Sequence, residues 1–126
     1  MDPIDKLAWI CLAEGKFLCT RSRGKDLFYL PGGKREPGES DRQALTREIR
    51  EEVSVDLLPA TLRHLETFTA QAHGKPPGVM VRLTCYTADY TGQLGPAAEI
   101  EELRWLGAAD RPLCSEAAAL ILDWLV

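Results

Sequence analysis

Glu48, Glu51 and Glu52 are the residues of this chain whose type and spacing can do chemistry. On a helical wheel with Glu48 at the origin, Glu52 falls at about 40° and Glu51 at about 300°, so three carboxylates crowd roughly a 100° arc. Such crowding is costly unless cations occupy it, and hard oxygen ligands at this spacing suit Mg²⁺, or Mn²⁺. Leu45, Ile49 and Val53 fall at about 60°, 100° and 140° on the same wheel. The acidic edge therefore adjoins an apolar edge that must pack, which pins the carboxylates beside the core.

The element that must position them has a legible start. Ser40 is a good N-cap, Gln43 completes a capping box, and Asp41 places negative charge in the first turn. The expected helix runs from about Asp41 to Val53. Before it, Gly32-Gly33 and Pro37-Gly38 require a loop with unusual backbone angles. A short strand, Leu27 to Leu30, leads into that loop.

Taken alone, the run Arg47-Glu48-Ile49-Arg50-Glu51-Glu52 reads as a solvated helix face with an Arg47–Glu51 ion pair. With the glycine loop, the cap and Glu39 upstream, the stretch from Gly33 to Val55 resembles the Nudix box, G-x5-E-x7-R-E-U-x-E-E-x-G-U with U aliphatic. Gly33, Glu39, Arg47, Glu48, Ile49, Glu51, Glu52 and Val55 match. Ser54 stands where the family has its second glycine, which normally closes the helix with a left-handed residue. A serine there costs on the order of 1 kcal/mol and is expected to reshape the helix end.

Several expectations follow from the resemblance. It implies an α/β fold, a Nudix-like α/β/α sandwich with a mixed central sheet, in one domain over residues 1–126. It implies a Mg²⁺-dependent pyrophosphohydrolase, with Glu51 and Glu52 holding metal and Glu48 acting as ligand or general base. The Gly32 carbonyl is a further implied ligand. Another acid is expected from the run before Trp105, with Glu99 the first choice and Glu102 the second. Lys34 and Arg21 resemble phosphate- and nucleotide-facing residues of some members. Arg23 and Lys25 extend that basic loop, and Phe28 or Tyr29 can stack a base, whereas Trp9 is expected in the core. Arg47 is expected to orient carboxylates by ion pairing. Many members form a homodimer.

Composition bounds the rest. At 126 residues, with 45% hydrophobic and 27% charged residues, the chain is an ordinary soluble domain. Net charge −4 and pI about 5.2 argue against a nucleic-acid polymer or anionic membrane as partner. Neither a secretory leader nor a run long enough for a membrane span is visible. Cys11, Cys19, Cys85 and Cys114 fit no common zinc spacing and read as core residues in a reducing, cytoplasmic setting.

Strands are expected at Lys6 to Ala13, Lys16 to Thr20, Thr61 to Gln71, Val79 to Tyr90 and Glu101 to Leu106, with a last helix at Glu116 to Leu125 behind Ser115. For substrate, the lack of a proline about fifteen residues past the box and of a tyrosine slightly further on disfavours ADP-ribose and dinucleoside polyphosphates. The expected substrate is a small nucleotide: a (d)NTP or modified nucleotide, cleaved to the monophosphate and pyrophosphate. The chain has no asparagine, the residue with which members acting on oxidised guanine read the base. A nucleotide sugar, a non-catalytic sensor and an interaction module are the alternatives.

Overall fold

The computed structural model describes residues 2–125. Among the described residues, nine strands, two α-helices and two short 3-10 turns follow one another. The strands are β1 (Ile4–Trp9), β2 (Leu12–Ala13), β3 (Lys16–Ser22), β4 (Gly32–Gly33), β5 (Asp56–Leu57), β6 (Arg63–Gln71), β7 (Met80–Thr87), β8 (Tyr90–Thr91) and β9 (Ile100–Leu106). The helices are α1 (Asp41–Val53) and α2 (Glu116–Leu125).

The sheet is mixed, as expected, but divided. One part has the order β4-β1-β7-β6, with β1 and β7 parallel and the other pairs antiparallel. The second has the order β2-β3-β9, all antiparallel. The division comes from the first apolar run, which is not one strand. At Ile10 and Cys11 the chain crosses between the two parts: the Ile10 N–H donates to the Tyr86 carbonyl, and the Leu18 N–H donates to the Cys11 carbonyl. Two other expected strands are also interrupted. Leu27 to Leu30 makes only single bridges, Tyr29 to Thr20 and Phe28 to Cys114. Val79 to Tyr90 breaks before Asp89, whose N–H donates to the Thr61 hydroxyl oxygen and whose carbonyl accepts the Leu58 N–H.

The helices cover opposite faces. Leu45, Ile49 and Val53 of α1 are fully buried against Leu7, Trp9 and Leu18. Ala118, Ile121 and Leu122 of α2 pack with Ala8, Leu83 and Cys85. Alternation along β1 sends Leu7 and Trp9 to the first layer and Ala8 to the second, where Ile10 just beyond the strand joins it. All four cysteines are free and buried. Burial pushes the Cys11 thiol up to about 11 and the Cys85 thiol up to about 12, which keeps both unreactive. No described helix is long and apolar enough to cross a membrane.

Both ends of α1 are built as the residues require. Ser40 Oγ accepts the Gln43 N–H at 3.2 Å, and Gln43 Oε1 accepts the Ser40 N–H at 2.9 Å. At the other end Ser54 does not reshape the helix. It adopts the left-handed conformation itself, with φ 70 and ψ 14, and its hydroxyl donates to the Gly95 carbonyl at 3.0 Å. The hydrogen bond offsets part of the conformational cost that a glycine would avoid.

Candidate functional site

The glycine pair is the place where loop meets helix. Gly32 (φ +144) and Gly33 form β4 and pair with Ala8 and Leu7 of β1. A Cβ on Gly32 would overlap the Leu7 backbone carbonyl. A Cβ on Gly33 would lie 2.6 Å from the Glu48 carboxyl carbon, so the missing side chain is what lets Glu48 stand against the loop. The Gly32 N–H donates to Glu52 Oε1 at 3.1 Å.

Arg47 ties the same loop to the helix from above. Its Nε and Nη2 donate to the two Glu39 oxygens, both at 2.8 Å, in a bidentate pair. Its Nη1 donates to Glu48 Oε1 at 2.9 Å and approaches Glu51 at 3.4 Å, and Nη2 also reaches the Lys34 carbonyl at 3.2 Å. Arg47 therefore holds a fixed positive charge among the box carboxylates. It pulls the Glu39 pKa down to about 2 through that pair, aided by the Glu36 N–H.

The loop before β9 brings in the fourth acid. The Gly95 N–H donates to the Val53 carbonyl and the Ala97 N–H to the Glu52 carbonyl, which satisfies backbone oxygens left open at the end of α1. Ala98 then takes a left-handed φ of 53, and the Arg23 N–H donates to the Glu99 carbonyl. The Glu99 side chain is thereby delivered to Glu52. Burial raises the Glu52 pKa to about 8 against the Gly32 bond, with Glu48 and Glu99 adding to the rise. Burial also raises Glu48, although Arg47 opposes it.

Among the described residues, no three His, Cys, Asp or Glu side chains already stand as a metal-binding group. Protein donors hold the box carboxylates instead: Arg47 at Glu48 and Glu51, and the Gly32 amide at Glu52. The donor chemistry nonetheless fits a hard divalent cation. Glu48 and Glu99 disfavour the charge on Glu52, and Glu51 and Glu99 disfavour the charge on Glu48, which a dication would favour.

Other expected residues lie differently. Glu102 is taken up by Arg21 at 3.2 Å and Arg104 at 2.8 Å, which leaves Glu99 as the acid beside the helix. Arg21 itself bonds Glu101, Glu102 and the Lys25 carbonyl, so its guanidinium is committed within the protein. Phe28 is 3% exposed, packed in the α2-side core with the Arg104 guanidinium 5.3 Å over its ring, and has no open face for a base. Arg23 and Lys34 are exposed and stand outside the cleft lining.

A cleft of about 340 Å³ opens beside the acids. Gly32, Gly33, Glu52 and Glu99 line one part of it, and Ile4, Tyr29, Leu30, Val81 and Leu83 line another. Lys6 of β1 also lines it and was not anticipated as a site residue. The signal was a lone lysine at the start of an apolar strand, which by itself reads as a strand end.

The coupling of Glu52 to its surroundings makes a pH prediction. Its ordinary pKa of 4.5 rises to about 8 on folding, so between these values the folded chain keeps a proton that the unfolded chain releases. Stability of the metal-free protein then falls as pH rises from about 4.5 to about 8, by an amount on the order of a few kcal/mol. Glu39 acts in the opposite direction and elsewhere: its contribution is present above its ordinary 4.5 and is lost as pH falls toward about 2. Thermal melts in chelator should show a lower midpoint at pH 8 than at pH 5, and Glu52→Gln should remove most of that difference. A wild-type midpoint equal at both pH values would contradict the environment described for Glu52.

The family model described as NUDIX domain matches residues 5–124. The CTP pyrophosphohydrolase of Escherichia coli (strain K12) is 32% identical over 135 residues, covering 95% of each chain. The RNA pyrophosphohydrolase of Yersinia enterocolitica is 27% identical over 113 residues, covering 77% of this chain and 65% of its own. The chain likewise spans only 58% of the Nudix hydrolase YvcI of Bacillus subtilis, so the first curated relatives it matches are longer proteins. Among solved structures, the MutT NUDIX hydrolase of Burkholderia pseudomallei superposes with TM-score 0.79 over 100% of this chain and 99% of its own, at 22% identity. At that identity the likeness is one of fold.

Proposed function

We propose that this chain, which belongs to the Nudix family, is a pyrophosphohydrolase that uses a divalent cation to cleave a small nucleotide at a phosphoanhydride bond. The observation that carries the reading is the half-buried Glu52 carboxylate, held by the Gly32 amide in the field of Glu48 and Glu99 at the edge of a cleft. A binding module has no need of like charges gathered at such cost. The substrate we favour is a (d)NTP or modified nucleotide, giving the monophosphate and pyrophosphate. The Escherichia coli relative's name, CTP pyrophosphohydrolase, supports that class.

Glu48, Glu51, Glu52 and Glu99 are the residues we assign to the cation, with the Gly32 carbonyl beside them; Mg²⁺ is the first choice and Mn²⁺ the second. A divalent cation there supplies charge neutralisation for the phosphate oxygens. Arg47 bonds Glu48 and Glu51 and holds Glu39, so the loop stays against the helix. In the reaction a water oxygen forms a bond to phosphorus, the bridging P–O bond breaks, and its electron pair leaves on pyrophosphate. The proton from water passes to a carboxylate oxygen of this cluster that is not bound to the cation.

The test is a panel of (d)NTPs, dinucleoside polyphosphates, ADP-ribose and nucleotide sugars, assayed with Mg²⁺, with Mn²⁺ and with chelator. Metal-dependent release of pyrophosphate, rather than orthophosphate, from a triphosphate is expected. No metal-dependent cleavage of any member of the panel would sink the reading.

A further inference from the structure

Lys6 occupies an unusual place in β1. Ile4 and Ala8 on its face of the strand pack against or belong to the α2-side apolar layer, and Lys6 lies between them. Its register partner on β7 is Leu83, and Ile4 pairs with Val81. An ammonium has thus been placed in an apolar row that forms the wall of the cleft. It is half-buried, whereas Lys25 and Lys75, which also line the cleft, are exposed. No described side chain or backbone oxygen bonds it; burial, and after it the charge of Lys34, lowers its pKa, while the charges of Glu52 and Glu48 oppose the shift. A polar group so placed is costly unless a partner arrives.

Two polar side chains on this side of the protein, Gln71 and Arg21, are committed within the chain, while Tyr29, Lys25 and Lys75 also line the cleft. Gln71 lines the same cleft, but its amide nitrogen donates to the Pro76 carbonyl at 2.9 Å and its oxygen accepts the Gly78 N–H at 2.9 Å, which closes the β6–β7 loop. Arg21 is held by Glu101 and Glu102. Lys6 is the half-buried ammonium beside the part of the cleft walled by Ile4, Leu30, Val81 and Leu83. Such walls suit a flat, largely apolar ring, not a phosphate chain. The phosphates belong with the acids at Glu52 and Glu99.

We propose that Lys6 reads the nucleobase, donating to a ring carbonyl oxygen and so favouring cytosine, uracil or guanine over adenine. The assignment rests on the nucleotide reading of the cleft. A lysine offers donors and no acceptor, and adenine alone of the common bases carries no carbonyl. A site built around such a donor discriminates against the ring that cannot use it.

The test separates base from phosphate and binding from turnover. Affinities of CMP, UMP, GMP and AMP are measured in chelator by NMR titration for the wild type, Lys6→Met and Lys6→Arg, with circular dichroism to verify folding. Methionine keeps the stem and removes the charge. In the wild type at least one carbonyl-bearing monophosphate should bind about tenfold or more tighter than AMP, the scale of one charged hydrogen bond. Lys6→Met should bring that ratio to near one by weakening that ligand and not AMP, and Lys6→Arg should restore part of it. An equal loss for all four ligands would make Lys6 a phosphate contact and overturn the proposal, as would no change in any of them. Pyrophosphate release from CTP, UTP, GTP and ATP is followed in parallel. If the binding pattern holds without turnover, the hydrolase reading alone fails. If turnover is strong but Lys6→Met leaves the base profile unchanged, the Lys6 assignment alone fails.

Discussion

Glu52→Gln should lower kcat by roughly a thousandfold or more while leaving the fold intact. Glutamine matches glutamate in shape, and its Oε1 can still accept the Gly32 N–H that now holds the carboxylate at 3.1 Å. What is lost is the anionic oxygen that we assign to the cation. What is relieved is the burial and like-charge repulsion that raise Glu52 to about 8. The variant should therefore melt no lower than the wild type at pH 8 in chelator, and its melting point should respond less to added Mg²⁺. The decisive pair of measurements is pyrophosphate release and thermal melting on the same preparation. Activity within tenfold of wild type would remove Glu52 from the catalytic group, whatever the melting point.

The second large effect separates two adjacent glycines. In Gly32→Ala the new Cβ has nowhere to go: φ is +144, and the obstructing atoms are backbone, with the Leu7 carbonyl carbon at 2.9 Å. Leu7 is 1% exposed and paired on both sides, to Gly33 and to Thr84, so it cannot retreat. We expect a loss of about 3 kcal/mol or more, a fall in midpoint of about 10 °C or more. In Gly33→Ala the obstructing atoms are the Glu48 carboxylate, with Cδ and Oε2 at 2.6 Å. That is the end of a side chain that can swing aside, so the fold should survive. Glu48 would then leave Arg47 and the assigned cation position, and activity should fall about a hundredfold. Urea unfolding and turnover, measured on both variants, give the contrast. A Gly33→Ala protein as unstable as Gly32→Ala, or one as active as wild type, would refute the close approach between loop and helix on which the site is built.

Some of this could be read along the chain because it is local. Ser40, Gln43 and Asp41 specify a helix start within four residues, and α1 begins at Asp41. The 3.6-residue period of Leu45, Ile49 and Val53 specifies the buried face, and all three are fully buried. Ser115 in front of an apolar run marks the start of α2, where its Oγ accepts the Ala118 N–H at 3.2 Å. Each of these depends on neighbours a turn away or closer. The same locality explains the misplaced strands. Continuous hydrophobicity from Lys6 to Ala13 says that the segment is buried, not that the chain changes sheets at Ile10 and Cys11.

By itself, the order of residues determined that Arg47 and three glutamates share one short helix beside a glycine loop, because helical geometry carries that information over a dozen positions. Only the tertiary structure decided which charges remain open to a ligand. Glu102 and Arg21 lie 81 residues apart and neutralise one another across β3 and β9, while Glu99, three residues from Glu102, is turned toward Glu52 by a loop tied to the end of α1. Phe28 was drawn into the core by α2, and Lys6 was set in the cleft wall by its pairing with β7. Coulomb attraction and packing act through space, so whether a charged or aromatic side chain is engaged or available depends on partners that no local spacing reveals.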